Sequence, residues 1–590
     1  MTILSSILMA TAAITWHPSA DWAEKPNPVA SPHAKKGGVV RFFGSQAPKS
    51  HNAYIDNNSY TIMMFSLMYD QLVSTDPDTL EMVPSLASRW GVSEDGREFT
   101  FVIDERAVWS DGVPVSARDV KWTFDTVMDP KSDSGPWKTI LGDFESPVIL
   151  DPEAERPMRI RFRKKGKSPR NWRDLMHCGT FWVMPSHAFG GQDFNKLDFV
   201  GAVTGGPYSI SRVEEQVETE YVRVKTWWKA SSPSCRHLYN FDKILMRYFA
   251  DQENGFAALK KKLIDVYPTY TARLWVKGTK GKAFDRNWIV RRRVSNHEPV
   301  GYQGFVMNMR SFPFDDVRVR KAMSKLIDRV MMNRTMMYGE YFMQNSFFCD
   351  LYDKDHPCRN ELLLFDPEGA RRLLEEAGFV RNPVTGILEK DGRAFRFNFL
   401  SRAASEDKFL IHFDSALKSL GIEMTIVRKD FANWMKDMDD FNFQMTWSSM
   451  SATVFRNPEL VWLSSEADRK QSNNYSGFKS REVDALLEKE KSLVNAADRN
   501  SLYREIDRLV AAEHPYAFLW NIAAKRLLYW NKFGMPESVL SRYNQEDDVL
   551  AYWWYDEDKV RELDAAMEDG GFLPEVSFEV DFDEVMTRKR

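Results

Sequence analysis

From Phe99 to Ile103 the side chains alternate, with Phe99, Phe101 and Ile103 on one side and Thr100 and Val102 on the other. A period of two predicts a strand whose aromatic face is buried. The turn before it, Ser93-Glu94-Asp95-Gly96-Arg97, is an Asp-Gly hairpin signal in which glycine tolerates positive φ. Ser110-Asp111-Gly112 makes a second turn, and the period then changes. Val120, Phe124 and Val127 recur at spacings of four and three, which places them on one face of a helix. Ser116 is its predicted N-cap, with Asp119 in the capping-box position. Upstream, the stretch from Met68 predicts a short apolar helix, an acidic turn and a new helix starting at Pro84-Ser85.

The same two periods continue along the chain. Gly304-Phe305-Val306-Met307-Asn308-Met309 reads as a strand ending in asparagine. Asp316 then caps a helix whose broad apolar face combines Ala322, Leu326 and Val330 with Met323 and Ile327. Asp366-Pro367 opens another helix and Gly378 closes it, so every boundary signal is present. Leu420 to Met424 passes from a helix end into a strand, and Ser480–Leu487 and Asp498–Ala511 are two amphipathic helices.

Length changes the picture from one core to several. At 590 residues the chain exceeds the ~250–300 residues at which a single core stops growing. Lys plus Arg number 80 against 84 acids, a net charge of −4, so nucleic acid is not an expected partner. Three basic triplets, at 260–262, 291–293 and 588–590, are too short to alter that. Residues 3–16 are apolar and uncharged, the length of a signal-peptide core and too short for a membrane span of ~20 residues. A signal peptide over 1–23 is therefore expected, without a basic start. No cysteine follows the apolar run, so no lipid anchor is expected, and no other stretch is long enough to span a bilayer. The mature chain is expected to be soluble. Of Cys178, Cys235, Cys349 and Cys358, only Cys349 and Cys358 are near enough in sequence to close a small loop, a candidate disulfide in an oxidising compartment. None forms a CxxC, and no metal site or cofactor is expected.

The block from Met68 to Asp125 closely resembles the signature of the family 5 solute-binding proteins of ABC importers, the oligopeptide-binding class. Further motifs of the family follow. Lys36-Gly37-Gly38-Val39 resembles its first strand, and Gly205-Gly206-Pro207-Tyr208 its return into the first lobe. The stretch leading to Asp265 resembles its G-x-I-D segment, with Lys262 in place of the glycine. Phe314 to Ala322 and Asp366 to Gly378 resemble the opening of its second lobe and a helix within it. Tyr529 to Pro536 and Tyr552 to Asp556 are similar to the YejA-like subgroup.

The resemblance implies an α/β, two-lobed periplasmic-binding-protein fold, class II-like and large, with an extra side domain in lobe 1 and hinge strands between the lobes. The implied organisation is a linker at 24–35, lobe 1 at 36–67, a side domain at 68–202 and lobe 1 again at 203–299. Lobe 2 follows at 300–519, a lobe 1 return segment at 520–573, and a tail at 574–590. It implies a periplasmic receptor, expected to be monomeric, that captures peptides or peptide-like compounds by hinge closure. An ABC permease and, through it, ATPase subunits are the implied partners. The same family also takes up oligosaccharides, metal chelates and haem, and a sensor or chaperone role is a third reading.

No catalytic motif is present: there is no G-x-S-x-G, H-E-x-x-H or phosphate-binding glycine loop. An enzyme is not expected. Candidate ligand residues cluster at 446–475. Peptide-binding relatives carry an aspartate here that pairs with the ligand amine, yet Thr446 to Pro458 contains none. Arg456 suits an acidic ligand group, or is an ordinary loop arginine. Trp447 and Trp520 read as core or as ligand platform; Tyr475 reads as a cleft residue or as packing. Ser448, Ser449 and Asn474 belong to the same stretches, and Asn308 can hydrogen-bond ligand or backbone.

Overall fold

The computed structural model describes residues 14–17, 25–166 and 171–589. The chain divides into two compact units. One runs to Asn296 and resumes at Lys525, and the other spans His297–Ala524. Most of the stretch expected as a signal peptide lies outside the described residues; Ile14–His17 forms an edge strand against Ala87–Ser93.

The first unit is built on an eight-stranded mixed sheet. Its centre is Val39–Gly44, flanked in parallel by Lys243–Tyr248 and Val266–Pro268. Ala524–Trp530 pairs antiparallel with Val266–Pro268, its register running Val266 to Tyr529 and Pro268 to Leu527. The chain therefore crosses between units at the Gly44 end of this sheet. A second, five-stranded antiparallel sheet carries the aromatic strand Glu98–Ile103, with Phe99, Phe101 and Ile103 at most 3% exposed. Its Phe101 and Phe162, with Phe124 of the helix Ala117–Met128, share one continuous core with Val40, Phe42 and Ile244 of the large sheet.

Local signals located most boundaries. Ser116 and Asp119 form both halves of the capping box of Ala117–Met128. Asp119 also accepts from the backbone N–H and hydroxyl of Ser186, at 2.9 and 2.7 Å. Two expectations in the same block fail. The short apolar helix is Ser59–Met68, which ends at Met68 with Asn58 as its cap. The helix expected from Pro84-Ser85 is the strand Ala87–Ser93, because it supplies the second arm of the Asp-Gly hairpin, pairing Val92 with Phe99 and Trp90 with Phe101.

The second unit holds a five-stranded sheet in the order Glu423–Arg428, Arg396–Ser401, Met445–Met450, Tyr302–Met307, Tyr516–Phe518. Asp316 caps Val317–Lys325 and Asp366 caps Pro367–Glu376 as expected. Val330 does not join the predicted apolar face. The helix stops at Lys325, Asp328 caps a new one over Arg329–Met336, and Val330 is 50% exposed. All four cysteines are free thiols, the candidate pair Cys349 and Cys358 included.

Candidate functional site

Asn308 ends the strand Tyr302–Met307, and its amide is fully committed within the second unit. The side-chain N–H groups donate to the carbonyls of Phe441 and Phe443 at 3.1 and 2.8 Å. Its oxygen accepts from the backbone N–H and guanidinium of Arg310 at 3.2 and 2.9 Å. Arg310 in turn donates to the carbonyls of Asn474, Tyr475 and Ala467, and lies 3.8 Å from the Phe441 ring centroid. Burial pushes this guanidinium down to about 10. Asn474 is fully buried and bridges the carbonyls of Leu463 and Phe478 and the N–H groups of Gly477 and Phe478. Asn308 and Asn474 are thus brought together, but as halves of a clamp around Arg310 that fixes the loop 467–478.

The other expected residues separate into core and rim. Trp520 is 1% exposed and packs on Phe409 and Trp447 at 5.3 and 6.3 Å. Trp447 donates its indole N–H to Gln303 at 3.1 Å and is half-buried. Arg456 is buried, ion-paired with Asp350 and stacked over Phe348, so its charge is met within its own unit. Ser448 is buried and its neighbour Ser449 exposed, as alternation in the strand Met445–Met450 requires. Tyr475 is half-buried, which raises its phenol above the ordinary range.

Sequence reasoning missed a cluster at the Gly44 end of the large sheet in the first unit. Tyr60 donates to Ser45 at 3.2 Å, and Tyr267 to the Gln252 side chain at 2.7 Å. Tyr270 follows the strand Val266–Pro268 and donates to Glu546 at 3.1 Å; the ring is 55% exposed while Glu546 is buried. Beside them His51 meets Thr219 at 3.3 Å, and burial lowers its imidazole below the usual range. Phenol faces and one carboxylate therefore gather at the Gly44 end of the first unit's large sheet. Glu546 lies 276 residues from Tyr270, a separation no local pattern signals.

Residues 81–472 match the family model described as bacterial extracellular solute-binding proteins, family 5 middle, which covers more than half of the chain. The protein belongs to this family of solute-binding receptors, whose members serve ABC importers with a permease and ATPases. It is 26% identical over 577 residues to a binding protein of Brucella suis biovar 1, covering 90% of this chain and 91% of that one. It is also 26% identical over 552 residues to an Agrobacterium fabrum chain named "Probable peptide-binding protein YejA", covering 86% and 88%. Among solved structures, the oligopeptide-binding protein AppA of Bacillus subtilis, in complex with a nonapeptide, aligns with a TM-score of 0.68 at 17% identity. The match covers 89% of this chain and all of that one. NikZ of Campylobacter jejuni, in complex with Ni(L-His), aligns at 0.65 with 19% identity, covering 89% and 100%. The fold is the two-lobed binding-protein fold of these proteins, as the α/β reading expected. No helix among the described residues is long and apolar enough to cross a membrane.

Proposed function

We propose that the protein is the extracytoplasmic receptor of an ABC importer for peptides or peptide-like compounds. In this reading it is exported with loss of residues 1–23, acts as a monomer in the periplasm, and delivers its ligand to a membrane permease. The observation that carries the reading is the family match over residues 81–472. The peptide half is supported by the name of the Agrobacterium relative and by the nonapeptide bound to AppA. The Ni(L-His) complex of NikZ keeps a metal chelate as the second reading.

Hinge closure traps a ligand only if the ligand binds the closed form better than the open one. A peptide held like an added strand supplies such contacts through its backbone, and tyrosine faces suit varied side chains. The aspartate that anchors the amine in peptide-binding relatives is missing from 446–458, and Arg456 is spent on Asp350. We assign the amine anchor instead to Glu546, oriented by Tyr270, in the first unit. A carboxylate offers an ammonium charge-assisted hydrogen bonds.

Short peptides should raise the melting temperature of the protein. Glu546→Gln should weaken a free-amine peptide at least tenfold and leave its N-acetylated form unchanged. Equal peptide affinity in wild type and variant would remove Glu546 from the site. A melting shift with Ni(L-His) and none across a peptide library would overturn the peptide reading.

A further inference from the structure

The C-terminal segment is built into the first unit beside the loop that carries Glu546. Glu579–Asp581 is the outermost strand of the large sheet and runs parallel to Ile289–Ser295, pairing Arg293 with Glu579, Val294 with Val580 and Ser295 with Asp581. The N–H of Arg293 donates to the Phe578 carbonyl at 2.8 Å, and the Phe578 ring stacks on Trp275 at 5.7 Å. Val580 and Phe582 are buried in the same core as Val40 and Ile244. The pairing covers what would otherwise be an open sheet edge. From Phe582 the chain turns into the helix Phe582–Lys589.

Arg542 ties this helix to the loop 541–548. One arm of its guanidinium donates to Asp78 at 3.0 Å and the other to Asp583 at 3.4 Å, and the group lies 5.8 Å from the Phe582 ring centroid. A planar fork reaches two partners set apart, where an ammonium offers a single point of charge. The same loop is held from two further sides. Asn296, the residue after the paired strand, donates its amide to the carbonyls of Ser541 and Asn544 at 2.8 and 2.9 Å. Asp548 accepts from the Asn544 amide at 3.0 Å and from the backbone N–H of Ser541. Glu546 lies between these fixed points in sequence, buried, and accepts from Tyr270 at 3.1 Å. The two Arg542 ion pairs are partly exposed and add little to global stability, so what they supply is local order in the loop.

We propose that the C-terminal segment is a brace for the amine site. Through Asp583 and Arg542 it holds the loop 541–548 in the arrangement that presents Glu546, and so sets the affinity for a free-amine peptide. Arg542 is a positioning residue, and its effect on affinity rests on the assignment of Glu546 as the anchor. A loop that keeps its binding arrangement only about a third of the time lowers the apparent affinity about threefold. The sign of the effect separates the brace from direct electrostatics. Arg542→Gln removes a positive charge and by Coulomb attraction alone would tighten an ammonium ligand, whereas Asp583→Asn removes a negative charge and would loosen it. The brace makes both variants bind more weakly.

The test is calorimetric titration of the full chain with the tripeptide Ala-Phe-Ala and with its N-acetylated form, beside amide hydrogen exchange of the unliganded protein. Arg542→Gln and Asp583→Asn should each weaken the free-amine tripeptide about threefold or more and leave the acetylated form unchanged. Neither should weaken it further in a Glu546→Gln background, since the brace acts through that carboxylate. Arg542→Lys keeps the charge and should recover part of the loss. Exchange, which needs no ligand, should speed up at residues 541–548 in both variants while the melting temperature hardly moves. Tightening by Arg542→Gln, equal weakening of the two peptide forms, or wild-type exchange at 541–548 would overturn the brace. Wild-type affinity in Glu546→Gln alone would remove the anchor, and exchange at 541–548 would still judge the hold of Arg542 on the loop, so the two assignments fail separately.

Discussion

Arg310 ties together parts of the second unit that lie far apart in sequence. Its guanidinium fills carbonyls of Ala467, Asn474 and Tyr475, more than 150 residues away along the chain. Arg310→Met would leave those acceptors without their donor and cost about 2–3 kcal/mol. Lysine offers a point charge rather than a planar fork and should recover less than half of that. Urea midpoints followed by tryptophan fluorescence give both numbers, and a loss below about 0.5 kcal/mol would contradict the clamp. His514 supplies a pH test. Burial, with Lys321 and Arg320 nearby and Glu361 opposing them, lowers its imidazole to about 4. A ring kept neutral in the fold takes up a proton on unfolding, so acid favours the unfolded chain as pH falls from 6.5 toward 4. The window is worth on the order of 2–3 kcal/mol and contributes nothing above pH 7. His514→Asn tolerates the positive φ of 48° at this position and should flatten the stability profile between pH 4 and 6.5. An unchanged acid slope would show that the ring titrates normally.

At the scale of elements, caps and periods carried far. Ser116, Asp316 and Asp366 were legible because a cap bonds to N–H groups two or three residues on, well within reach of a local pattern. The strand Ala87–Ser93 was misread because what decides it is its partner across the hairpin. Lys262 shows the same logic at a turn. The family motif has glycine there, and the residue sits at φ 59°, the left-handed region that costs a side chain about 1 kcal/mol. Its ammonium gains only a 3.3 Å exposed pair with Asp564 and a place over Trp530. Lys262→Gly should therefore stabilise the first unit by about 0.5–1 kcal/mol, read as a rise in urea midpoint. A fall in the midpoint would mean that the lysine contacts outweigh the backbone strain.

For the whole molecule, the family was legible and the ligand contacts were not. The motifs from Met68 to Gly378 define backbone turns and helix starts, which sequence encodes locally. The candidate ligand residues Asn308, Trp520 and those at 447–475 were chosen largely by position in the family pattern, and most proved to have partners within their own unit. Arg456 met Asp350, Asn474 met four backbone groups, and Trp520 met Phe409. The exposed phenol and buried carboxylate of Tyr270 and Glu546 come from the two separate segments of the first unit and become neighbours only on folding. The central claim is that this receptor takes peptides. It is tested most directly by native mass spectrometry of the protein incubated with an equimolar mixture of free-amine peptides and Ni(L-His). The account predicts a dominant 1:1 peptide adduct. A nickel–histidine adduct with no peptide bound would contradict it.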